Sequence, residues 1–206
     1  AGFNAPLAGV LFAHEAILRH FSLRAIAPIS IASFSASAFG EYFFGNSPAL
    51  FELSQQVPPL NEVLPILILL GPAFAIITVC FMITLRAANN FASLNERHKT
   101  LLPFIAALIC GSVGVFLPEI LGLGIGAIND LIAGNISLTK VSMLLMAKIS
   151  MTALCIGFGL FGGILSPALF IGVSAGSLAA GFFTAIGYPD LAQVIIISGM
   201  AAVAAS

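Results

Sequence analysis

From Ile149 to Pro189 the chain carries no charged side chain. A helix needs about 20 predominantly apolar residues to cross the roughly 30 Å hydrocarbon core of a bilayer, so this run alone is long enough for two passes. The rest of the chain agrees. Of its residues 60% are hydrophobic and 7% charged, where a soluble domain carries roughly a quarter charged, and the mean hydropathy is +1.13. The sequence therefore predicts an all-α, multi-pass membrane protein, since the strands of a barrel would alternate over about ten residues. The formal net charge of −1 leaves no global field to attract nucleic acid, so the expected surroundings are the lipid bilayer and any electrostatic function is local.

About eight helical segments of unequal length are expected. The first apolar run, Ala5 to Leu18, ends in the polar cluster His14, Glu15, Arg19, His20 and Arg24. The next, Ala25 to Phe44, carries Ser33 and Ser37 at a small-xxx-small spacing that lets membrane helices approach closely. Residues 45–61 hold Pro48, Pro58 and Pro59 and read as an exposed loop. A span from about Glu62 to Leu85 is followed by a basic link, residues 86–99, and then by a span from Leu101 to about Leu117. Lys and Arg in short links favour the cytoplasmic side, which puts the links at Arg19/Arg24 and at 86–99 inside and the 45–61 link outside.

The segment PEILGLGIGAINDLIAGN is too rich in glycine for a lipid-facing span and reads as a half-helix with loops buried in protein. Helices from Thr139 to Gly157, from Ile164 to about Gly187 and from Leu191 to Ser206 complete the chain. Unequal and interrupted helices of this kind are typical of transporters and channels. The chain opens on AGFNAP without Met or a basic stretch and stops within an apolar run at GMAAVAAS, so it is expected to be a piece of a longer membrane domain.

Candidate chemistry is sparse. Cys80, Cys110 and Cys155 share no metal-ligand spacing and are expected as small buried hydrophobes, so no metal or other cofactor is expected. Gly157, Gly159 and Gly162 fit the dinucleotide pattern G-x-G-x-x-G, but that fingerprint needs a preceding strand, and an apolar helix precedes it here. The same glycines, with Gly163, disfavour a continuous helix, and Pro167 is best tolerated in the first turn of a new one. The first N–H groups of that helix lack intrahelical partners and carry partial positive charge. An anion at the N–H groups of Ile164 and Leu165 would satisfy them. The alternative, which composition alone favours, is a kink between packed helices satisfied by Ser166 or by water.

The stretch FGGILSPALFIGVSAGSLAAGFF resembles the G-x-F-x-P region of the CLC family of chloride channels and chloride/proton exchangers. AGFNAPLAGVLFAHEAI is similar to that family's AxFNAPLAGxLFxxE block, and GMAAVAAS to the stretch before its second copy. The spacing of the three blocks is also family-like, so the resemblance covers essentially the whole chain. It implies part of an inverted-repeat domain, residues 1–60 ending the first repeat and 61–206 starting the second. It also implies a homodimer, with residues 5–44 at its interface, in the plasma (inner) membrane, passing chloride or a similar small anion.

The resemblance maps Gly163, Ile164, Leu165, Ser166 and Pro167 onto the anion-binding motif, with backbone N–H groups as donors and Leu165 where the usual residue is Phe. Glu15 matches the glutamate that closes its block, and Ala16 stands where proton-coupled bacterial relatives have the internal proton-transferring glutamate. A methyl group cannot carry a proton, so channel-like transport is favoured over an antiporter using another proton path. The gating glutamate, serine loop and pore tyrosine of the family fall outside these residues.

Several residues leave choices open. Glu15 is expected to pair with Arg19 at i,i+4 spacing, a reading favoured over a part in permeation or gating. Lys148, in mid-helix, is a functional candidate by position; it raises the potential along an anion path, snorkels, or pairs with Glu119 or Asp130. His14, His20 and His98 are expected to be solvated at cytoplasmic span ends. A rival class, an intramembrane hydrolase using Ser166, needs a histidine within hydrogen-bond reach, and the expected positions of the histidines disfavour it. No enzymatic activity is expected.

Overall fold

The computed structural model describes residues 5–45, 58–94, 100–160 and 162–205, with the backbone alone at 16, 44, 60 and 62. Eight α-helices and no strand occur among the described residues, in keeping with the all-α expectation. The chain divides into two compact units, Ala1–Glu52 and Leu53–Ser206.

In the first unit, helix α1 (Pro6–Phe12) begins with proline, whose missing N–H costs nothing at a position that has no helical acceptor. The helix widens into a π-helical turn, Ala13–Leu18, and stops at Arg19, which adopts the left-handed conformation at φ 56°. Helix α2 (Leu23–Phe44) follows. Ser33 of α2 donates a 2.7 Å hydrogen bond to the Pro6 carbonyl, and a Cβ added at Gly9 would lie 2.8 Å from the Ser33 Oγ. Small residues thus bring α1 and α2 together, and the expected close-packing role of Ser33 is realised.

The second unit holds α3 (Leu60–Leu94), α4 (Leu102–Phe116), α5 (Ile125–Ile132), α6 (Leu138–Gly157), α7 (Leu165–Ile186) and α8 (Ala192–Ala204). Short 3₁₀ turns at Pro118–Ile120 and Pro189–Leu191 precede α5 and α8. Helices α2, α3, α6 and α7 are long and apolar enough to cross a membrane. The core between α3, α6, α7 and α8 gathers Phe81, Leu145, Ile149, Ala168, Ile171 and Val203.

Helix α7 is buried from Phe170 to Ser177, and α8 lies against its glycines. A Cβ at Gly172 would meet the Gly199 carbonyl oxygen at 2.5 Å, and one at Gly176 would meet the Ile196 Cα at 2.6 Å. Two backbones touch here: Gly172 and Gly176 stand at GxxxG spacing, which lets membrane helices approach closely.

One boundary differs from expectation. Helix α3 does not end near Leu85 but runs on through Arg86 to Leu94, so the first part of the expected basic link is helical. Charge marks where a helix leaves the apolar layer, not where it stops, and RAANNFASL contains no glycine or proline to stop it. Packing supports the extension: Gly157 lies against Ala88, and Phe91 stacks on Phe158 at 5.9 Å. Most of the expected 45–61 loop, residues 95–99 of the basic link, and His98 lie outside the described residues.

The cysteines also depart from expectation: Cys80 is exposed, and Cys110 and Cys155 are half-buried. Which side of a helix meets another helix is a tertiary matter that an apolar run does not reveal.

Candidate anion-binding site

Helix α6 ends as its glycines dictate. The Gly159 N–H bonds the Ile156 carbonyl at 3.1 Å, and the Leu160 N–H bonds the Cys155 carbonyl at 2.9 Å. This paired closure requires a left-handed residue just past the helix, and Gly159 has φ 90°. Gly162 and Gly163 follow in non-helical backbone, Ile164 precedes the first helical residue, and α7 starts at Leu165. Pro167 sits in that first turn, so the predicted break and restart are both present.

The first helical bond of α7 runs from the Ala168 N–H to the Ile164 carbonyl at 3.0 Å. Among the described residues, the N–H groups of Ile164, Leu165 and Ser166 make no backbone hydrogen bond, and no side chain caps the helix. Pro167 has no N–H to offer. These donors stand at the helix start, where the aligned peptide dipoles place partial positive charge. The sequence named the donors of Ile164 and Leu165; Ser166 adds a third, foreshadowed by its place one residue before the proline. Gly162, Gly163, Ile164 and Leu165 are exposed, and Ser166 and Pro167 are half-buried.

The alternative in which Ser166 satisfies its own helix start is not what forms. Its hydroxyl donates to the Leu123 carbonyl at 3.4 Å, a long contact directed away from the α7 donors. A hydroxyl so placed meets a carbonyl rather than a base, which gives the hydrolase reading no support.

Leu123 belongs to a strap, residues 118–124, held from behind by α6. The ammonium of Lys148, only 4% exposed, donates to the Ile120 carbonyl at 2.7 Å and to the Gly122 carbonyl at 3.2 Å. Its Nζ also lies 4.9 Å from the centroid of the Phe170 ring on α7, within cation–π range. An ammonium has three donors, and two carbonyls and a ring face account for them. Lys148 thus neither snorkels nor pairs with a carboxylate.

Glu119 accepts instead from Lys140, and Asp130 is exposed on α5. The Lys140 hydrogen bond, with a smaller backbone contribution, holds the Glu119 carboxyl below the usual carboxylate range despite partial burial. The strap also closes tightly on α7: Gly124 has φ 68°, and a Cβ there would lie 2.8 Å from the Phe170 ring.

Glu15 and Ala16 lie in the π-helical turn of the first unit. Among the described residues Glu15 makes no ion pair with Arg19, contrary to expectation. Arg19 turns left-handed and leaves the helical register on which i,i+4 pairing depends. Glu15 is exposed, as is His20, whose Nδ1 lies 2.7 Å from the Leu18 carbonyl.

His14 is a second correction. It is not solvated but 1% exposed. Its Nδ1 lies 2.9 Å from the Val10 carbonyl, and its ring stacks on Phe21 at 5.5 Å. The signal in the sequence is faint: His14 falls one helical turn after Val10 in an apolar stretch.

The whole chain, residues 1–206, matches the sequence model of the family described as voltage gated chloride channel. It is 32% identical over 216 residues to the H(+)/Cl(-) exchange transporter ClcA of Vibrio vulnificus strain YJ016, a match covering 100% of this chain and 46% of that protein. The protein of the same name from Vibrio cholerae strain O395 is 30% identical, with the same shares covered. That of Yersinia pestis strain Angola is 32% identical, over 100% of this chain and 45% of the relative. The chain therefore spans about half the length of these relatives. With the match running from first residue to last, the chain belongs to the voltage gated chloride channel family.

Proposed function

We propose that this chain forms part of a transmembrane pathway for chloride or a similar small anion, with Gly163, Ile164, Leu165, Ser166 and Pro167 as its anion-binding segment. The observation that carries the reading is the uncapped start of α7, where three N–H groups have no backbone partner among the described residues. An anion there exchanges water for fixed dipoles and undergoes no chemistry. Binding must stay weak enough for the ion to leave. Chloride names in the family and in the relatives support this choice of ion.

Residues 1–60 and 61–206 are assigned to the end of one repeat and the start of the next. The protein is a homodimer in the plasma (inner) membrane, with residues 5–44 contributing to the interface. The exposed apolar side chains of α2, including Ile31, Phe34 and Phe39, suit such a role. Ala16 favours uncoupled, channel-like passage, with Glu15 nearby as a gating candidate. A second reading, chloride/proton exchange by another proton path, is favoured by the relatives' own names.

The test is chloride efflux from liposomes holding the intact protein. Efflux that survives Ser166→Ala agrees with backbone donors and removes the hydrolase reading. Intact protein that passes no anion at any voltage or pH refutes the proposal in favour of a non-conducting scaffold.

A further inference from the structure

We propose that His14 is a proton-accepting site of this chain, and this rests on the exchanger reading above. A proton crossing a membrane domain needs a titratable group inside it that has a free lone pair. Among the described residues the candidates are few. The Lys148 ammonium has no lone pair to offer and spends its hydrogens on two carbonyls and a ring. Glu119 also has an oxygen, Oε2, buried without a partner among the described residues, but Lys140 on its Oε1 holds that carboxyl below the usual carboxylate range, and Glu15, Glu41, Asp130 and Asp190 are exposed.

His14 differs from all of these. A carbonyl only accepts, so the 2.9 Å contact with the Val10 oxygen makes Nδ1 the ring's donor. In the neutral ring Nε2 is then the bare lone pair, and among the described residues that buried atom has no partner. A buried acceptor left unsatisfied is costly and calls for a donor. The residue also sits inside a π-helical turn, a rare distortion found disproportionately at functional sites.

Among the described residues, the titratable groups on the neighbouring elements all stay exposed. Helix α1, which packs on the turn, carries no titratable residue. Helix α2 carries Arg24, Glu41 and Tyr42, all exposed. On the turn and just beyond it, Glu15, Arg19 and His20 are exposed as well. The proton step is simple: a hydronium or a hydrogen-bonded water chain gives a proton to Nε2, an N–H bond forms as an O–H bond breaks, and the ring becomes imidazolium. Release reverses the step. The Nδ1–H bond to Val10 and the stacked Phe21 ring hold the imidazole in one orientation throughout.

His14→Asn is the informative variant, because an amide keeps a donor for the Val10 carbonyl but accepts no proton near neutral pH. Chloride and proton fluxes are recorded together on the intact protein in liposomes. The expected result is proton flux that falls at least about tenfold in the variant, the scale of a lost acid–base group, while chloride flux persists. Unchanged proton flux in His14→Asn, or chloride flux without proton flux in the wild type, overturns the inference and leaves anion transport standing.

If the wild type carries no anion, the transport proposal falls, and nitrogen NMR of labelled histidine decides the inference alone, with His20→Asn and His98→Asn to isolate the signal. Protonation of Nε2 at some pH within the range over which the protein stays folded supports it. An Nε2 that remains bare throughout that range overturns it.

Discussion

Replacing Gly172 by alanine tests whether α7 and α8 are in backbone contact. The new methyl would stand 2.5 Å from the Gly199 carbonyl oxygen and 2.6 Å from the Met200 Cα, against at least 3.4 Å for an ordinary contact. Neither neighbour is the tip of a flexible side chain, so the helices must part by about 0.9 Å along that line. A gap of about 0.5–1 Å forfeits a quarter to a half of the dispersion well for each atom pair it opens, and overpacking of this kind costs about 1–3 kcal/mol. Alanine's better helix propensity returns about 0.5–1 kcal/mol. The net expectation is a loss of up to about 2.5 kcal/mol, centred near 1 kcal/mol.

Gly111→Ala is the matched control. It is also a glycine inside a helix, but its Cβ would meet nothing within 4 Å, so only the propensity gain of about 0.5–1 kcal/mol remains. Thermal unfolding of the purified intact protein should move down for Gly172→Ala and up for Gly111→Ala. Because α7 carries the proposed anion donors at its start, the first variant should also slow chloride efflux. Equal stability of the two variants would refute the backbone contact on which the packing argument rests.

Lys148→Met should destabilise by about 1–3 kcal/mol, because the buried Ile120 carbonyl loses its donor, and Lys148→Arg should recover most of this in the same unfolding assay. The Met variant should also alter the nitrate-to-chloride permeability ratio, since the strap it frees places the Leu123 carbonyl beside Ser166. Leu165→Phe should leave chloride affinity by calorimetry within about twofold, because the donors are backbone N–H groups, while changing single-protein transport rate through the altered lining. Glu119, its carboxyl held low chiefly by Lys140, contributes stability that is complete above the ordinary carboxylate range and fades as pH falls through its lowered value. Lys140→Met should therefore differ from wild type by up to about 1 kcal/mol near neutrality, the scale of a partly exposed pair, and match it in strong acid.

The parts of this protein legible in its sequence are those governed by short-range rules. Gly159 and Pro167 act on their own backbone, one permitting a left-handed close and the other starting a helix, so the break between α6 and α7 could be placed from letters alone. Ser33, Gly172 and Gly176 were legible for a related reason: a missing or small side chain permits close approach whichever partner arrives. The end of α3 was misjudged because Arg86 was taken for a stop, whereas Ala88 and Phe91 find partners on the Gly157–Phe158 corner.

By itself, the sequence determined that the chain lives in a membrane as a set of unequal helices and that one of them restarts near Ile164 with donors to spare. Charge depletion and helix-breaking residues suffice for that, because solvation and backbone geometry act locally. Only the tertiary structure decided what the polar groups meet. Lys148 found the Ile120 and Gly122 carbonyls instead of Glu119 or Asp130, Ser166 turned to Leu123 instead of its own helix start, and His14 was buried with a bare Nε2. Each outcome depends on which atoms from distant segments arrive within about 3 Å, and no spacing along the chain encodes that.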